Sequence, residues 1–441
     1  MQSRSAETTA VIPVEPADAT DARDDANRHD RKGADVTVIV PVHNAMPHLP
    51  ACIDSILAQT VAAAEIICVD DGSTDASAAY LDGLEQEHPT ISVVHQPCSG
   101  VSSARNRGLK CAHGSHILFV DADDLIACDL IEKALEAAQR FSSQMTIFGF
   151  DEYYAESDVC VAREICPDKE LYDKAFSLAD MSLPSPYLVT PNVWRILFDR
   201  AFLEESGLVF HEDLRTSEDL AFIYEALFLV KRIALIPDRL YRYRRDGGET
   251  LTRKTRGCAG IDALEHIRSF AAHHGVLERN MFHFCNIVLD VAEYATSTAY
   301  DLDDFGSIYR SFSDRLLGIV RKNEHLVHER YRPFYEHVQK GERPYLFFIY
   351  QREQHRVEDE RTSAGEAWKQ AHQAEQNLHE VERWARGRID ELERLLADSR
   401  QETQQALQEV ADVRASRSYR LGNFFMRGPA AIKRALKGKP E

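Results

Sequence analysis

Four short runs rich in Val, Ile and Leu (Val36–Val40, Ile66–Val69, Ile91–His95 and Ile117–Val120) alternate with segments of helix length. This rhythm constrains the fold more than any other feature of the chain. Strands that are nearly all apolar must be covered on both faces, and helices crossing between them supply the cover. A parallel sheet built from βαβ units is therefore expected. Polar residues follow the first, second and fourth runs: Pro41-Val42-His43-Asn44, Asp70-Asp71-Gly72-Ser73-Thr74-Asp75 and Asp121-Ala122-Asp123-Asp124. The carboxyl ends of parallel strands are where open α/β sheets take their ligands. No GxGxxG follows the first strand and no GxxxxGK[ST] occurs, so any phosphates must be held by something other than a glycine cradle.

Asp121, Asp123 and Asp124 crowd three carboxylates into four positions. Such charges repel unless a cation compensates them. A hard divalent ion, Mn²⁺ or Mg²⁺, with oxygen ligands and a substrate's phosphates would do so. The alternative is a solvated acidic turn in which an Asp caps the next helix. Asp70 and Asp71 can accept hydrogen bonds from a base or ribose, although Asp70 also suits a purely structural turn, and Asp75 reads as a helix cap. Arg105 lies early in a helix expected over Gly100–Lys110. Its charge suits either a nucleotide or a partner in the acidic rim.

Past a further strand at Met145–Phe150, residues 151–190 are polar, aromatic and dotted with proline, the composition of an acceptor-side loop region. Val193–Phe198 resumes order. Ser217-Glu218-Asp219 opens an apolar helix, with Ser217 as its expected cap. Ile233–Ile236 and Leu240–Arg244 read as two short strands around Pro237-Asp238. From Cys258 the pattern is helical. Farther on, a rough heptad stripe runs through Ala371, Ala374, Leu378, Val381, Ala385, Leu392 and Leu395, with Arg388 in its seam. It is either a coiled coil or one long solvated helix.

The formal charge of −19 over 441 residues argues against general binding to nucleic acid. From Arg414 onward, however, eight Lys or Arg face a single acidic residue, Glu441, and Phe424-Phe425 lie among them. Such a segment can rest on an anionic membrane surface, or can be a solubilising tail. The nine cysteines form no CxxC pair and read as reduced thiols. No apolar run approaches the length of a bilayer crossing, so a cytoplasmic protein is expected, peripheral at the inner face of the membrane if the tail binds there.

Taken together, these residues resemble the family 2 glycosyltransferases of GT-A fold. Pro41-Val42-His43-Asn44 is similar to their PVYN, Ser55–Thr60 to SILxQT, and Val69–Asp75 matches VDDGSTD outright. Gly100–Gly108 is similar to GxSxARNxG, Asp121–Asp124 to the DxDD metal motif, Ser217-Glu218-Asp219 to the ED motif, and Tyr241–Arg245 to LYYYRxR. Trp194 matches the Trp of WNKLY, but Arg195 and Ile196 replace its usual partners, and His43 stands where the family has Tyr. The resemblance covers about residues 35–250. It implies a mainly parallel mixed sheet and transfer of a sugar, with inversion, from a nucleotide-sugar donor, a UDP-sugar above all, to a glycan or lipid-linked acceptor at the cell surface. It places Pro41, Val42, Asn44, Asp71, Arg105, Asp121 and Arg244 around the nucleotide sugar, with Asp71 reading uracil. Asp123, with Asp121, would hold Mn²⁺ or Mg²⁺, Asp219 would be the base with Glu218 beside it, and Trp194 would face the acceptor.

The expected organisation is a disordered leader (1–34), a GT-A domain (35–257), a helical extension (258–350), a coiled coil or long helix through which the chain could pair with itself (351–413), and a basic amphipathic tail (414–441). Two other readings remain at this point: a nucleotidyltransferase, and a catalytically weak coiled-coil scaffold that keeps a transferase-like domain.

Overall fold

The computed structural model describes residues 34–155, 159–163, 166–188, 190–245, 257–299, 301–343 and 345, with isolated positions between 394 and 412. The expected leader, up to residue 33, the coiled coil and the basic tail lie outside those residues, apart from the isolated positions. Residues Met1–Gln351 form one compact unit and Arg352–Glu441 a second.

The first unit is built on a ten-stranded sheet. Its opening half follows the alternation in the sequence: β1 (Ala34–Val42), α1 (Leu49–Leu57), β2 (Ala63–Asp71), α2 (Ser77–Glu87), β3 (Ile91–Gln96), α3 (Val101–Cys111) and β4 (His116–Phe119). Strands β1 to β4 pair in parallel, in the order β3-β2-β1-β4. The two faces of β1 show why its run is so apolar. Val36, Val38, Val40 and Val42 pack with Leu49, Cys52 and Ile53 of α1 in one core cluster. Ile39 turns to the opposite cluster with Ile67, Ile117 and Phe119. Each such side chain stabilises the fold by about 1.5–3 kcal/mol when fully buried.

The second half departs from simple alternation. It comprises β5 (Leu125–Ile126), α4 (Leu130–Phe141), β6 (Met145–Tyr154), β7 (Val159–Ala162), β8 (Ala175–Phe176), β9 (Ile196–Asp199), α5 (Arg200–Glu205), α6 (Glu218–Leu229) and β10 (Ile233–Arg244). Strand β9 lies antiparallel between β4 and β6, and β10 runs parallel to β6. The sheet is thus mixed and mostly parallel. Two expectations need correction. Ile233–Arg244 is one strand and not two: its pairing with β6 slips between Leu235 and Arg239, around a proline that has no N–H to give to a ladder, and then resumes. Ser217 stands at the N-cap position of α6, but with φ of 65° it is left-handed and its side chain makes no capping bond. The loop region 151–190 carries short 3-10 turns in addition to β7 and β8.

The helices Ala259–His273, Met281–Ser297, Leu302–Arg315, Leu317–Lys322 and Arg332–Lys340 follow. Their apolar faces, with Leu264, Ile267, Phe284, Val288, Phe312 and Phe334, join the core cluster that also holds α6. They close the sheet face that carries Ile39 and Phe119.

Candidate active site

Strands β2 and β4 flank β1 in parallel, so their carboxyl ends deliver Asp70-Asp71 and Asp121–Asp124 to the same edge of the sheet. Helix α3 rises beside them, and α6 starts opposite. Arg105, on α3 and 3% exposed, is the hub. Its Nη1 donates to Glu218 Oε1 at 3.0 Å and to Asp219 Oδ1 at 2.7 Å, and its Nη2 donates to Asp121 Oδ1 at 2.9 Å. The guanidinium also lies 5.3 Å from the centre of the Phe210 ring. Burial alone would favour loss of its proton. Three carboxylates outweigh that and hold the proton more tightly than usual.

Asp219 gains a second anchor through its Oδ2, which accepts from the Val193 amide at 3.3 Å. Burial pushes its carboxyl up to about 8 against the pull of Arg105, and the charges of Glu218 and Asp121 push the same way. A carboxyl poised there can take a proton near neutral pH, which suits a general base.

The three aspartates of Asp121–Asp124 are not equivalent. Asp124 is fully buried. It accepts from the Tyr241 hydroxyl at 2.8 Å and the Arg244 amide at 2.7 Å, while the Tyr241 hydroxyl in turn accepts from the Asp121 amide at 3.1 Å. Asp124 therefore ties the loop to β10 and offers nothing outward. Burial, then the charges of Asp123 and Asp121, raise its pKa well above the carboxylate range. Asp123 is exposed. Its pKa is also raised, by desolvation from the atoms packed around the carboxyl and by the charge of Asp121. Arg244 leans across the same loop, its Nε donating to the Asp123 carbonyl at 2.7 Å.

At the end of β2 the pair divides in the same way. Asp70 accepts from the Ser73 amide at 3.0 Å and bonds His95 at 2.9 Å. Burial raises its pKa, but these bonds prevail and hold it low. Asp71 accepts from Gln96 Nε2, the Ser99 amide and the Gly100 amide at 2.7–2.8 Å, which fastens the start of α3. Gly72 is left-handed, φ 68°, and a Cβ there would lie 2.7 Å from the Cys98 amide nitrogen. Only glycine lets the two segments approach so closely. Asn44 caps the turn from the other side, its Oδ1 accepting from the amides of Thr74 and Asp75. His43 donates to the Asp71 carbonyl at 2.8 Å. Pro41 and Val42 pair with Val69 and Asp70, and Val42 is buried in the core. Asp75 accepts from the Ser77 amide at the head of α2 and from the Met46 amide.

Trp194 is 2% exposed, stacked on Tyr241 at 4.2 Å and on Tyr243 at 5.5 Å. Any influence on an acceptor would pass through those rings. The structure thus draws Asp121, Glu218, Asp219 and Arg105 into direct contact and lays Asp123 and Arg244 beside them. Asp71, Asn44, Pro41 and Val42 form the neighbouring turn. Sequence reasoning missed Tyr241 as a strut, Phe210 as the ring beside Arg105, and the Val193 amide. The alternation of Tyr with Arg in β10 was the one available signal.

The family model for glycosyl transferase family 2 matches residues 37–197. The glycosyltransferase EpsJ of Bacillus subtilis, itself uncharacterized, is 34% identical over 215 residues, 48% of this chain and 61% of that protein. The poly(ribitol-phosphate) beta-glucosyltransferase of Bacillus spizizenii is 28% identical over 221 residues, 48% of this chain and 33% of that protein. The chain thus spans less than two thirds of the length of either relative. Among solved structures, S. aureus TarS 1-349 in complex with UDP-GlcNAc has the same fold, with a TM-score of 0.58 at 19% identity over 72% of this chain and 91% of that one. Residues 37–197, from within β1 to within β9, thus match glycosyl transferase family 2, and the chain is similar to glycosyltransferases over that stretch.

Proposed function

We propose that the protein is a metal-dependent, inverting glycosyltransferase that moves a sugar from a UDP-sugar to a hydroxyl of a cell-surface glycan or lipid-linked precursor. The observation that carries this reading is the clamp: one buried guanidinium joins Asp121, at the donor-side loop, to Glu218 and Asp219 within 3.0 Å. Transfer needs a base beside a leaving diphosphate, and a guanidinium that ties Asp121 to Asp219 supports giving those two roles to neighbouring residues.

In this mechanism the acceptor oxygen attacks the anomeric carbon in line as the bond to the diphosphate oxygen breaks, and the hydroxyl proton passes to Asp219. Glu218 holds the orientation of Asp219 through the shared Arg105. Asp71, Asn44 and the turn between them line the nucleotide's side, and Arg244 approaches the diphosphate. The donor set at Asp121–Asp124 fits a hard divalent cation, because Asp123 is exposed, Asp121 stands beside it, and the charge of Asp121 raises the cost of ionising Asp123. Asp123 with Asp121 would hold Mn²⁺ or Mg²⁺, which when bound would offset the charge of the departing diphosphate.

The choice of a UDP-sugar is supported by the UDP-GlcNAc bound to TarS, and that of a cell-surface polymer by the poly(ribitol-phosphate) relative. Among the described residues no helix is long and apolar enough to cross a membrane. Contact with the inner membrane face would rest on residues 414–441, and self-association on residues 351–413.

Asp219→Asn keeps the shape of the carboxyl and removes its basicity. Calorimetry with UDP and Mn²⁺ should show unchanged binding, while transfer from the donor found in a nucleotide-sugar screen should fall about 10²–10⁴-fold. Near-normal turnover would refute the role of Asp219.

A further inference from the structure

Next to Phe210 along the chain, a histidine faces another from a different element. His211 follows Phe210 in the segment that leads to α6, and His266 lies on the helix Ala259–His273. Their rings are 4.1 Å apart, centre to centre, and tilted by 34°. Asp213 completes a triad in which one nitrogen from each ring and one carboxylate oxygen lie within 4.8 Å of one another.

We propose that His211, Asp213 and His266 form a binding site for a borderline divalent cation, Zn²⁺ first, that pins the helical extension to the segment carrying Phe210. Three features support this. Ligands on a tetrahedral Zn²⁺ with bonds of about 2.0–2.1 Å stand roughly 3.3 Å apart, and His266 Nε2 already lies 3.0 Å from Asp213 Oδ2. His211 is oriented from behind: its Nε2 lies 2.8 Å from Oε1 of Glu225, which is 1% exposed, leaving Nδ1 available to an ion. A buried carboxylate gripping the far nitrogen of an imidazole is how ligating histidines are held in one tautomer. Finally, two imidazoles with a carboxylate select Zn²⁺ and its neighbours over Mg²⁺, which prefers oxygen alone. A fourth position is left for water.

The site bears on the clamp through a short path. Asn106, next to Arg105, bonds both the carbonyl and the amide of Phe210 at 2.8 Å and reaches Glu212 Oε1 at 3.2 Å. An ion fixing His211 and Asp213 would therefore also fix the ring beside the guanidinium. The site is separate from the Asp121–Asp124 loop, and it stands or falls independently of the transferase reading.

The test is titration of the full chain, stripped of metal, with ZnCl₂ in a calorimeter. An Asp123→Ala background removes the exposed carboxylate of the Asp121–Asp124 loop, and Cys98→Ser in the same background removes one ligand from the group His43, Asp71 and Cys98, whose ligand atoms also lie within 4.8 Å of one another. One equivalent should bind with micromolar or tighter affinity, and His266→Ala and Asp213→Asn should each weaken it at least tenfold. Both side chains are partly or largely exposed, at 30% and 69%, so the fold should survive either change, and a thermal melt checks that it does. Co²⁺ in place of Zn²⁺ should give a visible absorption band that both variants lose. Equal Zn²⁺ uptake by the background protein and by either variant, or no uptake by any, would overturn the proposal.

Discussion

Arg105 shows what a single buried charge can organise. Its two terminal nitrogens serve three carboxylates, and burial, aided by the charges of Glu218 and Asp121, still holds Asp219 at about 8 in place of the ordinary carboxylate range. A base works only when unprotonated, so transfer should fall as pH drops through that region, far above the usual acid limb of a carboxylate. Arg105→Lys keeps the charge but loses the planar fork, so at least one of the three acids is left without its bond. We expect the acid limb of its kcat profile to move to higher pH, together with a loss of stability of about 3–5 kcal/mol if the ammonium fails to reach the pair at α6. A pH series of initial rates and a denaturant melt measure the two effects. Both readings of Arg105 open from the sequence, nucleotide or acidic rim, were physically sound. The choice depended on where α6 begins in space, which local sequence does not encode. The His211 and His266 pair was invisible for the same reason: Asp213 stands beside His211 in the chain, but nothing local says that a helix far along the sequence brings His266 to them.

The elements were legible where local and global demands agreed. Strands β1 to β4 are apolar because both faces are covered, and that pattern can be read directly. Strand β10 is different. Pro237 breaks its ladder, so it reads as two strands, yet the chain continues in one direction and brings Tyr241 beneath the acidic loop. That ring is enclosed by Trp194 at one face, which also accounts for the burial of a tryptophan expected on the acceptor side. Tyr241→Phe would leave Asp124 buried with one bond fewer and release the Asp121 amide. A destabilisation of about 1–3 kcal/mol is expected. The loosened loop should show more clearly in weaker metal-dependent UDP binding than in any change at Asp219, and calorimetry beside a pH–rate profile separates the two.

At the scale of the whole molecule, the helices described between residues 257 and 345 share a core with α6, so the helical extension shapes the wall behind Asp219. Composition alone gave no hint of that, because helical periodicity says which face is buried but not against what. The basic tail is the reverse case, legible only as composition. Deleting residues 414–441 should lower binding to vesicles containing anionic lipid, with the loss greatest at low salt, and a sedimentation assay across ionic strength reads it. The clamp also has a temporal side. Arg105 is separated from Glu218 by 113 residues and from Asp219 by 114. At about 5–20 residues per second of synthesis, the guanidinium emerges roughly 6–23 s before the partners that justify its burial. The first half of the sheet can form in that interval, but α3 cannot seat fully. A nascent chain halted before α6 would leave the guanidinium with Asp121 as its one carboxylate of the three, so the contact with Glu218 and Asp219 also works as a checkpoint on completing the protein.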